Sequence, residues 1–241
     1  MYKFISIAFG IFISGFFMKS AAQSPINLLS ESIATDSMVK VYFSHQKQNL
    51  PIYNGKLYRG YNVKIEDHAF YLVPEWHTGN ILYEGIWYND MALRYDIYSD
   101  QVIIRHPNSI PIILYRDRVS EFQYEGLQFV HLKPATKKDP VAGFYQVAKT
   151  GKVTLMIKRI KIIEENMDNR VVLRKFITAY KYYLVNNGEY IQVRTKSSVL
   201  NALKDKRHQI SQDLKKRNIR FKSDPEKAIL HIVDFYNQLH Q

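Results

Sequence analysis

The chain has 241 residues, 34 Lys and Arg against 22 Asp and Glu, and no cysteine. At 46% apolar and 23% charged residues it has the make-up of a globular protein, long enough for one large domain or two small ones. The missing cysteine excludes disulfides, thiolate metal sites, catalytic thiols and lipid-modified cysteine, while the formal charge of +12 admits an anionic partner without identifying one.

Residues 1–22 have the pattern of a secretory signal peptide. Lys3 supplies a positive start, Phe4–Phe17 is apolar apart from Ser and Gly, and Ser20-Ala21-Ala22 places small residues before a cleavage at Gln23. At about 14 residues the apolar run falls short of the ~20 needed to cross a bilayer. Export to the periplasm or beyond is therefore expected, with no transmembrane segment after cleavage. Losing Lys3 and Lys19 lowers the net charge from +12 to +10. Without cysteine, the exported chain must be held together by its core alone.

Residues 23–50 read as an N-terminal leader with a short helix over 37–46, where Met38, Val41 and Tyr42 fall at helical spacing. From 51 to 195 the pattern becomes that of an antiparallel β domain: short runs rich in Tyr, Val and Ile, punctuated by Gly, Asn, Asp and Pro. Tyr53-Asn54-Gly55, Tyr83-Glu84-Gly85 and Tyr124-Glu125-Gly126 each put an aromatic before a turn ending in Gly, with a second aromatic three residues later. Gly accepts the positive φ of a tight hairpin turn, and flanking aromatics pair across the strands. Asn187-Gly188 and Thr150-Gly151 look like further turns. Strands are expected near 56–64, 68–73, 79–84, 86–88, 91–98, 101–105, 110–116, 119–124, 127–132, 143–149, 152–163, 171–178, 181–186 and 189–194. The stretch 167–183 also admits a helical turn.

The C-terminal segment, 196–241, turns helical. Ser197 is placed to cap a helix running to Asp205, a second helix is expected near 207–218, and the third has Asp224 as N-cap and Pro225 in its first turn. Ile229, Ile232, Val233 and Tyr236 form the apolar stripe of the third helix. The expected fold is α+β and mainly β: an antiparallel meander sheet, as a sandwich or an open barrel, with C-terminal helices packed on it.

Charge is uneven. Residues 23–132 carry net −3, residues 133–195 net +8 and residues 196–241 net +5. Lys204, Lys206, Arg207, Lys215, Lys216 and Arg217 offer a contact for an anionic surface, as does the run Lys158-Arg159-Ile160-Lys161. A solvated face, with attraction to the acidic first half, is the preferred reading of such runs. Nucleic acid is not expected, given the export signal and the lack of a binding motif.

No zinc-type histidine spacing, nucleophile elbow or phosphate-binding glycine loop occurs among the residues, so no catalytic residue, metal set or cofactor is assigned. Asp67 and His68 are neighbours, which on a strand sends them to opposite faces and argues against a dyad. Tyr95-Asp96-Ile97-Tyr98-Ser99-Asp100 lacks the spacing of a calcium loop and reads as a strand followed by an Asp-led turn. The most suggestive cluster is Glu75-Trp76-His77, an aromatic with two titratable groups in a loop, able to line a sugar or small-molecule site.

Tyr53-Asn54-Gly55, Tyr83-Glu84-Gly85, Leu93-Arg94-Tyr95-Asp96-Ile97 and Gly143-Phe144-Tyr145 stand together with Tyr182-Tyr183-Leu184, Lys196-Ser197-Ser198 and Phe235-Tyr236-Asn237. In this set the chain resembles a family of exported β-rich proteins of Bacteroidota-type Gram-negative bacteria. The resemblance implies export and carries no catalytic residue. A non-enzymatic envelope protein that binds or scaffolds another envelope protein or a ligand is the first expectation. A carrier for hydrophobic ligands and a glycan or peptide hydrolase are the alternatives.

Overall fold

In chain order the strands are β1 (Lys56–Leu57), β2 (His77–Tyr83), β3 (Ile86–Asp96), β4 (Gln101–Arg105), β5 (Pro111–Ile113), β6 (Val119–Tyr124), β7 (Leu127–Leu132), β8 (Gly143–Lys149), β9 (Thr154–Asp168), β10 (Val171–Asn186) and β11 (Glu189–Val193). They form one antiparallel sheet in the order β1-β5-β4-β3-β2-β6-β7-β8-β9-β10-β11. As expected, it is an antiparallel meander, a single sheet that is not closed, with C-terminal helices packed on it. This computed structural model describes residues 49–136, 139–168 and 171–240. The signal peptide and the helix expected over 37–46 lie outside those residues.

Turn chemistry sets much of this order. Glu84-Gly85, Glu125-Gly126 and Asn187-Gly188 have positive φ at both positions: 51° and 80°, 52° and 71°, 49° and 80°. That backbone twist matches the strand twist, so β2–β3, β6–β7 and β10–β11 are tight hairpins. The Tyr53-Asn54-Gly55 turn behaves differently. Residues Pro51–Tyr53 form a single 3-10 turn, and Gly55 is needed for close approach. A Cβ there would come within 2.4 Å of the Ile113 carbonyl oxygen. The strand expected over 56–64 accordingly shrinks to two residues, and that over 68–73 to one bridge between Phe70 and Asp96. The pairs expected at 86–88 with 91–98, and at 171–178 with 181–186, merge into β3 and β10. No helical turn interrupts β10, because each of its residues from Val171 to Val185 is in register with β9.

Side chains in register share a face, and one row crosses eight strands: Tyr88, Ile81, Phe122, Phe129, Gln146, Ile157, Tyr182 and Val193. All eight are buried. The Phe122 and Phe129 rings stack 4.8 Å apart and nearly parallel. Burying a ring of this size contributes on the order of 2–3 kcal/mol. The row is therefore the spine of the fold.

Three helices follow: α1 (Lys196–Ala202), α2 (Arg207–Lys216) and α3 (Pro225–Gln238). The cap of α1 is Thr195 rather than Ser197. Thr195 Oγ1 accepts from the Ser198 amide at 3.2 Å while Ser198 Oγ accepts from the Thr195 amide at 3.0 Å, a reciprocal arrangement that satisfies two end donors. Asp224 caps α3 as expected, accepting from the Lys227 amide at 2.9 Å. The stripe Ile229, Ile232, Val233 and Tyr236 docks on Val153, Leu155, Ile157, Leu184 and Val193 of the sheet region, joined by Val199, Leu203, Ile210 and Leu214. Among the described residues no helix is long and apolar enough to cross a membrane.

Candidate functional site

The loop before β2 does not gather its three suggestive side chains. Glu75 is exposed. His77 opens β2 and turns to the β6–β7 hairpin, where its Nδ1 lies 2.5 Å from Glu125 Oε1 and its ring stands edge-on to Tyr124 at 5.4 Å. Trp76 reaches the other way, to β3, where the Arg94 guanidinium carbon sits 4.3 Å from its ring centre. The cluster is thus divided between two neighbourhoods.

Arg94 is the centre of the second one. The segment from Tyr58 to Tyr71 crosses over β3, tied down where the Tyr71 amide donates to Tyr95 O at 2.8 Å and the Ile97 amide to Ala69 O at 3.0 Å. Between this strap and β3 opens a cleft of about 300 Å³, lined by Tyr58, Tyr61, His68, Phe70, Arg94 and Phe176, with Val63 and Ile65 along its apolar side. Phe70 is a second ring against the guanidinium, 5.1 Å from Arg94 Cζ. Arg94 is half-buried, makes no ion pair among the described residues, and its Nε is buried without a hydrogen-bond partner. Burial pulls its pKa below the ordinary arginine value. A buried guanidinium donor left unsatisfied costs roughly 1–3 kcal/mol.

The other charges lining the cleft or buried beneath it are spent, while Glu75 acts on Arg94 only from the solvent side. Asp96, fully buried, accepts from Tyr58 at 3.1 Å and Tyr61 at 2.7 Å through Oδ2, and from the Tyr98 and Ser99 amides through Oδ1. Burial first, then Asp96, pushes both tyrosine hydroxyls well above their ordinary value. Both rings are thereby fixed. Asp67 and His68 do touch, contrary to the strand-based expectation. Asp67 takes a φ of 68°, so this is a turn, and its Oδ1 lies 3.4 Å from His68 Nε2. They still form no free dyad, because Lys161 Nζ binds both residues, 3.3 Å from Asp67 Oδ2 and 2.5 Å from His68 O. Burial and Lys161 hold His68 below its ordinary pKa.

Three other clefts are larger and less open, about 520 Å³, 490 Å³ and 330 Å³. Several of their polar groups serve one another: Asn80 donates to Gln123 Oε1 at 2.9 Å in the first, and Lys149 pairs with Asp234 at 2.5 Å in the second. Asp90 in the first of these clefts makes no ion pair among the described residues, but it has no aromatic contact of the kind that holds the Arg94 guanidinium.

The basic run of β9 is no polyanion surface. Lys158, Arg159 and Lys161 are each buried and paired, with Asp100 at 2.7 Å, Glu226 at 2.5 Å and Asp67 at 3.3 Å. Asp100 also takes the Tyr95 hydroxyl at 2.6 Å. The carboxylates of the 95–100 turn are therefore consumed internally, and no group of metal-holding side chains occurs among the described residues. On the C-terminal segment Lys204, Arg207, Lys215, Lys216 and Arg217 are exposed and Lys206 half-buried. Arg217 pairs with Asp213 at 3.0 Å.

Of the expected cluster, Trp76 alone touches a residue of the Arg94 cleft, through Arg94, without lining the cleft itself. Arg94, Tyr58 and Tyr61 were not singled out as site residues. The available signal was an arginine between Leu93 and Tyr95 in a strand otherwise dense with apolar residues. Comparison of the chain with protein-family models, curated proteins and solved structures finds no match.

Proposed function

We propose that the protein is an exported, non-enzymatic binding module of the cell envelope whose ligand site is the Arg94 cleft. One observation carries the reading: a guanidinium held against Trp76 and Phe70, with a buried unpartnered Nε, facing an open cleft. Folding the chain around such a donor costs free energy that a bound acceptor returns. Export rests on the signal-peptide pattern of residues 1–22 and on the family resemblance.

The site suits recognition more than chemistry. Its tyrosines are locked by Asp96, and its lysine and aspartate neutralise each other. General acid–base catalysis needs a titratable group free to face substrate. Glu75 and His77, the residues a hydrolase would have recruited, address solvent and Glu125 respectively. A carrier with a lipid cavity inside the sheet is disfavoured because packed rings such as Phe122, Phe129 and Phe144 fill the inner face.

Native mass spectrometry of protein released gently from its own envelope tests the proposal. Wild type is expected to carry a small bound mass that Arg94→Met, folded by circular dichroism, lacks. Wild type recovered at its bare polypeptide mass overturns the reading.

A further inference from the structure

We infer that the ligand of the Arg94 cleft is a monocarboxylate on an apolar body, held by the in-plane donors of the Arg94 guanidinium. The inference deepens the binding reading above and rests on it.

Charge counting comes first. Near the cleft stand two cations, Arg94 and Lys161, and two carboxylates, Asp67 and Asp96, while the exposed Glu75 acts on Arg94 through space without pairing to it. Lys161 is committed to Asp67 and to the His68 carbonyl, and Asp96 to four hydrogen bonds. Arg94 is left with no ion pair or hydrogen bond among the described residues, its nearest carboxylate influence being the solvent-exposed Glu75. That balance matches a monoanion, whereas a dianion such as a phosphate monoester would bring a second charge with no partner into a half-buried site.

Geometry narrows the choice further. All N–H bonds of a guanidinium lie in its plane. Arg94 Cζ sits 4.3 Å and 5.1 Å from the Trp76 and Phe70 ring centres, and no Arg94 N–H donates a hydrogen bond among the described residues. Two parallel in-plane donors match the two oxygens of a carboxylate. Beyond the guanidinium the wall becomes apolar, with Val63, Ile65, Phe70 and Phe176. A group carried on the carboxylate would lie along these side chains. An acyl chain and the C-terminal residue of a peptide share this chemistry.

Trp76 makes binding observable. The chain has two tryptophans, so Trp87→Phe leaves Trp76 as the sole reporter, in contact with Arg94. The probes are octanoate and N-acetylphenylalanine, each beside its neutral amide, with phenyl phosphate as the dianion. At least one acid should change Trp76 fluorescence saturably, about tenfold or more tighter than its amide, and tighter than phenyl phosphate. Which acid responds tells an acyl chain from a peptide terminus. Arg94→Met should abolish the difference between acid and amide, and Arg94→Lys should restore only part of it, because an ammonium is not a two-pronged donor. Amides binding as well as acids, or neither acid saturating by about 10 mM, overturns the inference. If the native protein still carries a neutral molecule lost in Arg94→Met, the binding reading stands while the carboxylate assignment falls.

Discussion

Arg159 and Glu226 face each other as a two-bond ion pair: Nη1 to Oε2 at 2.5 Å and Nη2 to Oε1 at 2.7 Å. The pair joins β9 to the first turn of α3, across 67 residues of chain. Arg159 also donates to Gln146 at 2.8 Å and lies 4.6 Å from the Tyr180 ring centre. Burial works against the guanidinium charge, and Glu226 outweighs it, so the arginine pKa is raised. The carboxylate sits at a helix N-terminus, where the helix dipole favours it.

Removing one partner should therefore cost far more than a surface pair is worth. The Arg159 side chain is only 6% exposed, and an uncompensated buried charge costs about 3–5 kcal/mol. Glu226→Ala is expected to lower unfolding stability by about 3 kcal/mol, read from the urea midpoint. Arg159→Met combined with Glu226→Ala should lose less than Glu226→Ala alone. A double variant weaker than both single ones would show that packing, not charge, holds the joint.

Gly143 marks a second buried pair. A Cβ there would fall 2.1 Å from Asp100 Oδ2 and 2.5 Å from Lys158 Nζ, at a φ of +145°. Neither side chain can retreat freely, since Asp100 also binds the Tyr95 hydroxyl and the Phe144 amide. Gly143→Ala should cost about 3 kcal/mol, combining backbone strain with a disrupted buried pair. Gly85→Ala is the control, because it shares positive φ, 80°, but meets open space. It should cost only about 1 kcal/mol. Equal losses in denaturant titration would assign the whole effect to backbone conformation.

Acid should loosen the helical segment through Asp213. Its carboxylate meets His231 Nε2 at 2.5 Å and Arg217 Nε at 3.0 Å, linking α2 to α3. Burial acts to raise its pKa, but the bonds from His231 and Arg217 prevail and leave it below 3.8. A carboxylate depressed in the folded state contributes stability that is complete above its unfolded pKa and lost as pH falls through the folded one. The Tm advantage of wild type over Asp213→Asn should hold at about pH 6 and shrink below about pH 4. A gap that stays constant down to about pH 2 would remove Asp213 from the acid response.

Local chemistry explains which parts of the fold were legible in the sequence. Gly at the second position of Glu84-Gly85 and Asn187-Gly188 determines the turn within four residues, so the hairpins could be placed from their own sequence. The caps and stripe of α3 are equally local. The Arg94 cleft is not, because the strap of residues 58–71, the loop at Trp76 and β3 meet only after the sheet order is known. Lys158, Arg159 and Lys161 illustrate the same limit. As a written run they resemble a solvated charge patch, and only the distant Asp100, Glu226 and Asp67 turn them into buried pairs.

Asn237 is the sharpest case of such a distant role, and it yields a stringent test. It stands at the end of α3, 5% exposed. Its Oδ1 accepts from the Val153 amide at 2.9 Å, and its Nδ2 donates to Val153 O at 3.0 Å and to Thr150 O at 3.4 Å. The amide thus satisfies both backbone groups of a residue that has just left β8 and not yet entered β9. The fit is close enough that a Cβ on Gly151 would come within 2.3 Å of Asn237 Nδ2. Asn237→Ala strands a buried donor and a buried acceptor, each costing about 1–3 kcal/mol, so a loss near 3 kcal/mol is expected. Asn237→Asp keeps the acceptor for the Val153 amide but sets a carboxylate against two carbonyl oxygens, and should be at least as damaging at neutral pH. Protonating that aspartate restores a donor, so Asn237→Asp alone should regain stability, relative to Asn237→Ala, as pH falls. Thermal unfolding of the two variants between about pH 7 and pH 4 reads this directly. Parallel curves would mean that water, not residue 237, satisfies Val153.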